Sequence, residues 1–345
     1  MAPSMRKVNV LSSFPFFSES NLDAIRNAVP EVSVAAFPYR ETEEERSARR
    51  KGELHTLGPH TRELSPEFLA KLAEAEVMFI LDAPTGLVQH APKLRWVQLI
   101  GAGADHLKGT GLFESDVDIV ATRNSHFVAE HALGLVLLLA KRLGQYLELS
   151  NRRQWKRLLG QTLWGKTIGI VGLGHIGSEV ARLCKAFGMR VLATKLRWQE
   201  APREHVDGIF PPFKLPEMLG QSDYVVICVA LTSDTEGMFG EAELRAMRPG
   251  AFLVNVSRGE IVQEDVLVRA LREGWIAGAA LDVFRTEPLP EDSELWELPN
   301  LFITPHSAGV VANYPDLAIA QFCDNLRRYI AGEPLANVID KKLGF

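Results

Sequence analysis

"TIGIVGLGHIGSEVARLCKAFG", residues 167–188, is the stretch from which the fold of the chain is read. It opens as an apolar run of strand length and turns at Gly172, Gly174 and Gly177. Ile176, Val180, Leu183 and Phe187 then recur at helical spacing before Gly188 closes the segment. A strand, a glycine turn and an amphipathic helix in that order predict a dinucleotide-binding unit. The glycines permit the tight turn, admit a pyrophosphate against bare backbone and let the helix touch the sheet. The amides of His175 and Ile176 stand at the positive helix end, where an anion is stabilised. The strand "RVLAT" (190–194) follows directly and completes the pattern.

On either side of this unit the same alternation continues. Short runs rich in Val and Ile precede it: "KVNVL" (7–11), "VMFIL" (77–81), "RWVQLI" (95–100) and "VDIVAT" (117–122). Others follow it: "YVVICV" (224–229), "AFLVNV" (251–256), "GAALDVF" (278–284) and "LFIT" (301–304). Runs apolar on both faces predict parallel sheets covered by helices, and so an α/β chain. At 345 residues the chain exceeds what one core usually supports, so two domains are expected, with a boundary near residue 122. The polar stretch 151–166 reads as a connection, and the charge-dense segment "RETEEERSARRKGELH" (40–55) as a solvated loop or helix face.

A formal charge of -5 with 23% charged residues gives no global attraction to nucleic acid or to an anionic membrane. The longest apolar stretch, "FVAEHALGLVLLLA" (127–140), contains Glu130 and His131 and is too short and too polar to span a bilayer; it reads as a core helix. No signal peptide is read at the N-terminus. Cys184, Cys228 and Cys323 have neither metal-ligand nor redox spacing, so no metal is expected, and buried reduced thiols point to the cytoplasm.

About twenty residues after such a turn an acid normally grips the adenosine ribose. Here "VLATKLRW" (191–198) carries Lys195 and Arg197 instead. A carboxylate would repel a 2′-phosphate, whereas these two bases attract one and Thr194 adds a hydroxyl. NADP(H) is therefore the favoured cofactor, with NAD(H) left open; both bases also read as ordinary exposed loop residues.

Three later stretches carry a resemblance: "NVSRGEIV" (255–262), "LDVFRTEPLP" (281–290) and "PNLFITPHSAG" (299–309). In order and spacing they resemble the signature segments of the D-2-hydroxyacid dehydrogenase family, the glyoxylate and hydroxypyruvate reductases in particular. The resemblance implies two doubly wound domains with an active site in the cleft between them. One is a Rossmann nucleotide-binding domain (123–311). The other is a flavodoxin-like substrate domain (1–122 with 312–345), to which the chain returns through the helical stretch 316–332.

By this resemblance His306 is the general acid/base, Glu287 its partner, and Arg258 the residue that holds a small 2-keto or 2-hydroxy acid. The chemistry asks for these types. Reduction at C2 needs a proton at the carbonyl oxygen, which histidine delivers near neutral pH, and a cation for the carboxylate, which arginine grips with a planar fork. The resemblance further gives the amides of Ala102 and Gly103 to the substrate carboxylate. It gives Asp282 to the nicotinamide carboxamide, and Val229, Ala230, Val256 and Ala308 to the cofactor wall. Ala230 departs from a frequent proline. Trp96, Trp164, Trp296 and Tyr314 are candidate pocket walls. Members are typically homodimers joined through the nucleotide-binding domain, with helix 126–143 as a candidate contributor. Two alternatives stay open: a dinucleotide-sensing interaction protein similar to the family's corepressors, and a short phosphoglycerate dehydrogenase.

Overall fold

A computed structural model of the chain describes residues 7–51, 63–123, 125–200 and 204–344. Contacts divide it into two compact units, Met1–Arg123 with Val311–Phe345, and Asn124–Val310. The first unit begins β1 (Val8–Ser12), α1 (Glu19–Ala28), β2 (Val32–Ala36), α2 (Glu43–Lys51), α3 (Pro66–Glu74) and β3 (Val77–Ile80). It continues with α4 (Leu87–His90), β4 (Trp96–Leu99) and β5 (Asp118–Val120). The strands form one parallel sheet in the order β2-β1-β3-β4-β5, the flavodoxin-like winding.

Side chains alternate across this sheet and divide its core in two. Met78, Ile80, Val97 and Leu99 face one apolar layer, and Val77, Phe79 and Trp96 face the other. Ser18 caps α1 with a reciprocal bond to Asn21, and Ser65 caps α3 just before Pro66, so both helices start where their sequences supply the missing acceptor.

The charged segment departs from its reading as a solvated face. Within 40–51, Glu41 and Arg49 are both buried and paired, and Arg46 reaches the buried carboxylate of Asp82 with bonds of 2.9 and 2.6 Å. Arg49 also donates to the carbonyl of Lys108 and to the Thr85 hydroxyl. Burial pushes the Glu41 carboxyl up, and Arg49 opposes that shift. Residues 52–55 of that segment lie outside the described residues.

The second unit runs α5 (Ser125–Lys141), α6 (Leu143–Asn151), β6 (Thr167–Val171), α7 (His175–Ala186), β7 (Arg190–Thr194), β8 (Gly208–Phe210), α8 (Leu215–Leu219) and β9 (Tyr224–Ile227). It ends with α9 (Glu241–Ala246), β10 (Phe252–Asn255), α10 (Glu264–Arg272), β11 (Gly278–Leu281) and β12 (Leu301–Ile303). Its seven strands are parallel in the order β12-β11-β10-β9-β6-β7-β8, the doubly wound order of dinucleotide-binding sheets with one strand added. Val225 and Ile227 of β9 face one core layer, while Tyr224 and Val226 face the other. α5 buries Val128, Ala132, Val136 and Ala140 and packs along α7. The last helix, α11 (Tyr314–Ala331), belongs to the first unit and lays Phe322 and Leu326 into the layer that holds Trp96.

Among the described residues no helix is long and apolar enough to cross a membrane, and no group of three or more His, Cys, Asp or Glu is placed to hold a metal ion. The three cysteines are unpaired. Burial pushes the Cys184 and Cys228 thiols up to about 12 and the Cys323 thiol up to about 11.

Candidate active site

The glycine turn is shaped by near contact. Gly172 has φ +99°, and a Cβ there would lie 2.7 Å from Val229 Cγ1 and 2.9 Å from the Val229 nitrogen. A Cβ on Gly177 would lie 2.1 Å from the Gly172 carbonyl oxygen, so α7 closes on the turn only through a hydrogen. Over Gly174, by contrast, a Cβ would meet nothing within 4 Å. That open space borders the amides of His175 and Ile176 at the start of α7, whose N-cap Gly174 offers no side-chain acceptor. A diphosphate fits this cradle of bare backbone and positive helix end.

Thr194 and Lys195 are tied to the same turn. The Thr194 hydroxyl oxygen is buried and accepts from the Gly172 amide at 3.1 Å, which ties the end of β7 to the turn. Lys195 Nζ is half-buried and donates to the Leu173 carbonyl at 3.0 Å, which stations its charge beside the glycines. Arg197 is exposed. Val256 is buried, and the Ala230 carbonyl accepts from the Thr235 hydroxyl at 2.7 Å, which fixes the segment after β9.

Arg258, Glu287 and His306 all follow the carboxyl ends of adjacent parallel strands, β10, β11 and β12. Asn255, fully buried at the end of β10, donates to the Arg258 carbonyl at 2.9 Å and accepts from the Ser257 amide at 3.1 Å. It thereby holds the bend that presents Arg258, whose Nη1 donates to the Ser257 carbonyl at 2.7 Å. A Cβ on Gly259 would sit 1.9 Å from Phe284 C and 2.3 Å from Arg285 N, so the β10 and β11 extensions touch backbone to backbone. On the β11 side the Phe284 amide donates to Glu287 Oε1 at 3.0 Å, and Glu287 Oε2 accepts from His306 Nδ1 at 2.8 Å. One Glu287 oxygen thus meets the backbone and the other the imidazole. The His306 side chain is 43% exposed against 19% for Glu287, which leaves Nε2 as the ring atom not engaged by that carboxylate.

Asp282 is held firmly. It is fully buried, and both oxygens are bonded within its own unit: Oδ1 accepts from the Thr304 hydroxyl at 2.6 Å and the Ser307 amide at 2.8 Å, and Oδ2 from the Ala308 amide at 2.9 Å. A buried carboxylate needs such donors, and here the segment that carries His306 supplies them. Glu264 also goes unread in the sequence. Its Oε1 accepts from the Arg285 amide at 2.6 Å, and burial pushes its carboxyl up against the opposing pull of Arg285. Asn255, Gly259 and Thr304 lie inside the signature stretches, so their presence was legible while their tasks were not.

The remaining candidates belong partly to each unit. Ala102 is exposed and Gly103 half-buried in the bend after β4 of the first unit. Trp96 is core rather than a pocket wall, the commoner of the two places for such an aromatic, and the Tyr314 hydroxyl donates to the Ile100 carbonyl. Trp164 and Trp296 lie on the surface of the second unit.

The model of the D-isomer specific 2-hydroxyacid dehydrogenase NAD binding domain matches residues 133–308. The glyoxylate reductase of Thermococcus gammatolerans is 35% identical over 303 residues, 83% of this chain and 89% of that protein. The glyoxylate reductase of Thermococcus onnurineus is 38% identical over 264 residues, 73% of this chain and 78% of that protein. A D-isomer specific 2-hydroxyacid dehydrogenase from Xanthobacter autotrophicus, solved with NADPH and MES, is similar with a TM-score of 0.79 at 27% identity, covering 99% of this chain and 100% of that one. An NADPH-dependent glyoxylate/hydroxypyruvate reductase from Sinorhizobium meliloti, solved with NADP and sulfate, gives 0.78 at 26% identity, with 98% and 100% covered. The chain belongs to the D-isomer specific 2-hydroxyacid dehydrogenase family, and is an NAD(P)-dependent oxidoreductase of 2-hydroxy acids.

Proposed function

We propose that the chain is an NADPH-dependent reductase of small 2-keto acids of the glyoxylate and hydroxypyruvate type. The observation that carries this reading is the 2.8 Å contact of His306 Nδ1 with Glu287, set on strand ends adjoining the one that presents Arg258. Gly172, Gly174, Gly177 and the amides of His175 and Ile176 hold the diphosphate, while Lys195 and Arg197 draw the 2′-phosphate. Reduced nicotinamide, when bound, supplies the hydride that arrives at C2.

The chain's own residues do the rest. Arg258 grips the keto-acid carboxylate and polarises the carbonyl from one position. His306 enters as the imidazolium, held by Glu287 through Nδ1, and gives its Nε2 proton to the carbonyl oxygen. The product is the 2-hydroxy acid, and the imidazole left behind regains a proton from solvent before the next turnover. The part of Ala102 and Gly103 in holding the carboxylate is carried by the resemblance alone.

The proposal extends to a homodimer and to the cytoplasm. α6 buries none of its residues, and beyond it Trp155 is 98% and Leu159 89% exposed in the same unit. A second copy covers such an apolar arm. Unpaired thiols fit a reducing compartment. Steady-state rates with glyoxylate and hydroxypyruvate, each with NADPH and NADH, test the reading. Turnover with a higher kcat/KM for NADPH is expected. No turnover with either acid, or a preference for NADH, would overturn it.

A further inference from the structure

α5 is an apolar helix, and His131 interrupts its apolar run on the side that reaches the ends of β11 and β12. Its Nε2 lies 3.2 Å from the Thr304 hydroxyl oxygen and 3.5 Å from Asp282 Oδ1. Thr304 in turn spends its own hydroxyl proton on Asp282, at 2.6 Å, so its oxygen is left to accept, and His131 Nε2–H is the donor it faces. The ring therefore stands behind the carboxylate whose other bonds run to the amides of Ser307 and Ala308.

Between these two anchors sits His306, with φ +50°, a left-handed conformation that residues with a side chain rarely adopt. Its amide donates to the Asp282 carbonyl at 2.7 Å, and the Thr304 amide to the Leu281 carbonyl at 2.9 Å. Such a backbone persists only where surrounding bonds over-determine it. Four of those bonds converge on Asp282, and His131 is the side chain from another element that fastens Asp282 and Thr304 together.

We propose that His131 is a positioning residue for His306: by donating from Nε2 to Thr304 and facing Asp282 it holds segment 304–308 in the turn that aims His306 at the substrate. It touches neither substrate nor coenzyme in this role. The kinetic half of the proposal rests on the keto-acid reductase reading above; the structural half does not.

The test uses the full chain with His131→Phe, which keeps a ring and removes the donor, and His131→Gln, whose side-chain amide restores one. Four readouts are taken: kcat and KM for glyoxylate, the Kd for NADPH, the Tm, and the ring-nitrogen resonances of His306, assigned with His306→Asn. The expected result for His131→Phe is a kcat lower by about tenfold, the scale of one lost hydrogen bond to a charged network. The Kd for NADPH stays near wild type, the His306 resonances shift, and His131→Gln recovers most of both changes. Unchanged His306 resonances in His131→Phe overturn the proposal. So does equal loss of activity and of Tm in both variants, which marks a merely structural helix residue. A wild type that reduces no keto acid would overturn the function proposed above, and the His306 resonances then decide this inference by themselves.

Discussion

Two glutamates, one in each unit, show how similar carboxylate contacts serve different ends. Glu41 is buried against Arg49, whose Nε lies 3.1 Å from each carboxylate oxygen, and the arginine's remaining donors go to Lys108, Ala83 and Thr85. Glu287 is also bonded twice, to the Phe284 amide and to His306, yet its imidazole partner is 43% exposed and keeps Nε2 clear of that carboxylate. A pair closed at both ends, its side chains 2% and 3% exposed, can hold elements together but cannot readily exchange a proton with a ligand. A pair open at one end, on the carboxyl ends of parallel strands, can.

The sharpest way to break the contrast is to remove the partners. His306→Ala is expected to lower kcat by as much as about 10⁴-fold, the upper range for a lost general acid, while urea unfolding stays near wild type. Undiminished turnover would dismiss the catalytic reading of the open pair. Arg49→Met is expected to do the reverse. Stranding the Glu41 carboxylate in a buried site costs about 3–5 kcal/mol of stability, and adding Glu41→Leu returns most of it. A double variant no more stable than Arg49→Met would show that the closed pair is not a coupled unit.

Lys195→Asp adds a graded case. Replacing a charge held beside the glycine turn by an acid is expected to move the NADPH to NADH ratio of kcat/KM by roughly ten- to a hundredfold toward NADH, the worth of one charge-assisted bond. An unchanged ratio would return both bases to the status of bystanders.

The smallest effect belongs to a surface pair. Asp207 accepts from Lys185 at 2.6 and 2.7 Å and from the Val191 amide at 2.7 Å, and these donors hold its carboxyl below the ordinary value of 3.8. Because the folded form is depressed, this stabilisation is present above about pH 4 and is lost as pH falls through the folded value. Asp207→Asn is thus expected to cost no more than about 1 kcal/mol at pH 7, since water screens the pair. Its unfolding curve should merge with that of wild type in acid; a gap that persists at low pH would contradict the linkage.

The parallel strands at the heart of each sheet were legible because they are apolar on both faces, and the glycine turn because its three glycines each meet backbone or leave it bare. β2 and β8 were not. Both are outermost strands, with one side unpaired and side chains half in water, so "VSVAA" and "GIF" carry no continuous apolar signal. The three candidate catalytic residues were named by resemblance, whereas the closed pair of Glu41 and Arg49 was misread as solvated. Charge density along a chain says nothing of which charges a fold will turn inward. The bonds around Asp282 and the place of His131 escaped for a related reason: their partners are remote in sequence and meet only once β11, β12 and α5 are assembled.

The contact at Gly259 has a mechanical outcome. With only a hydrogen separating it from the Phe284–Arg285 peptide, the guanidinium and the acid–imidazole couple ride on one stiff plate, so thermal motion that tilts one tilts the other. Specificity in such a plate is changed by what surrounds it, since any side chain grafted at 259 pries the guanidinium away from the couple before it can reshape either.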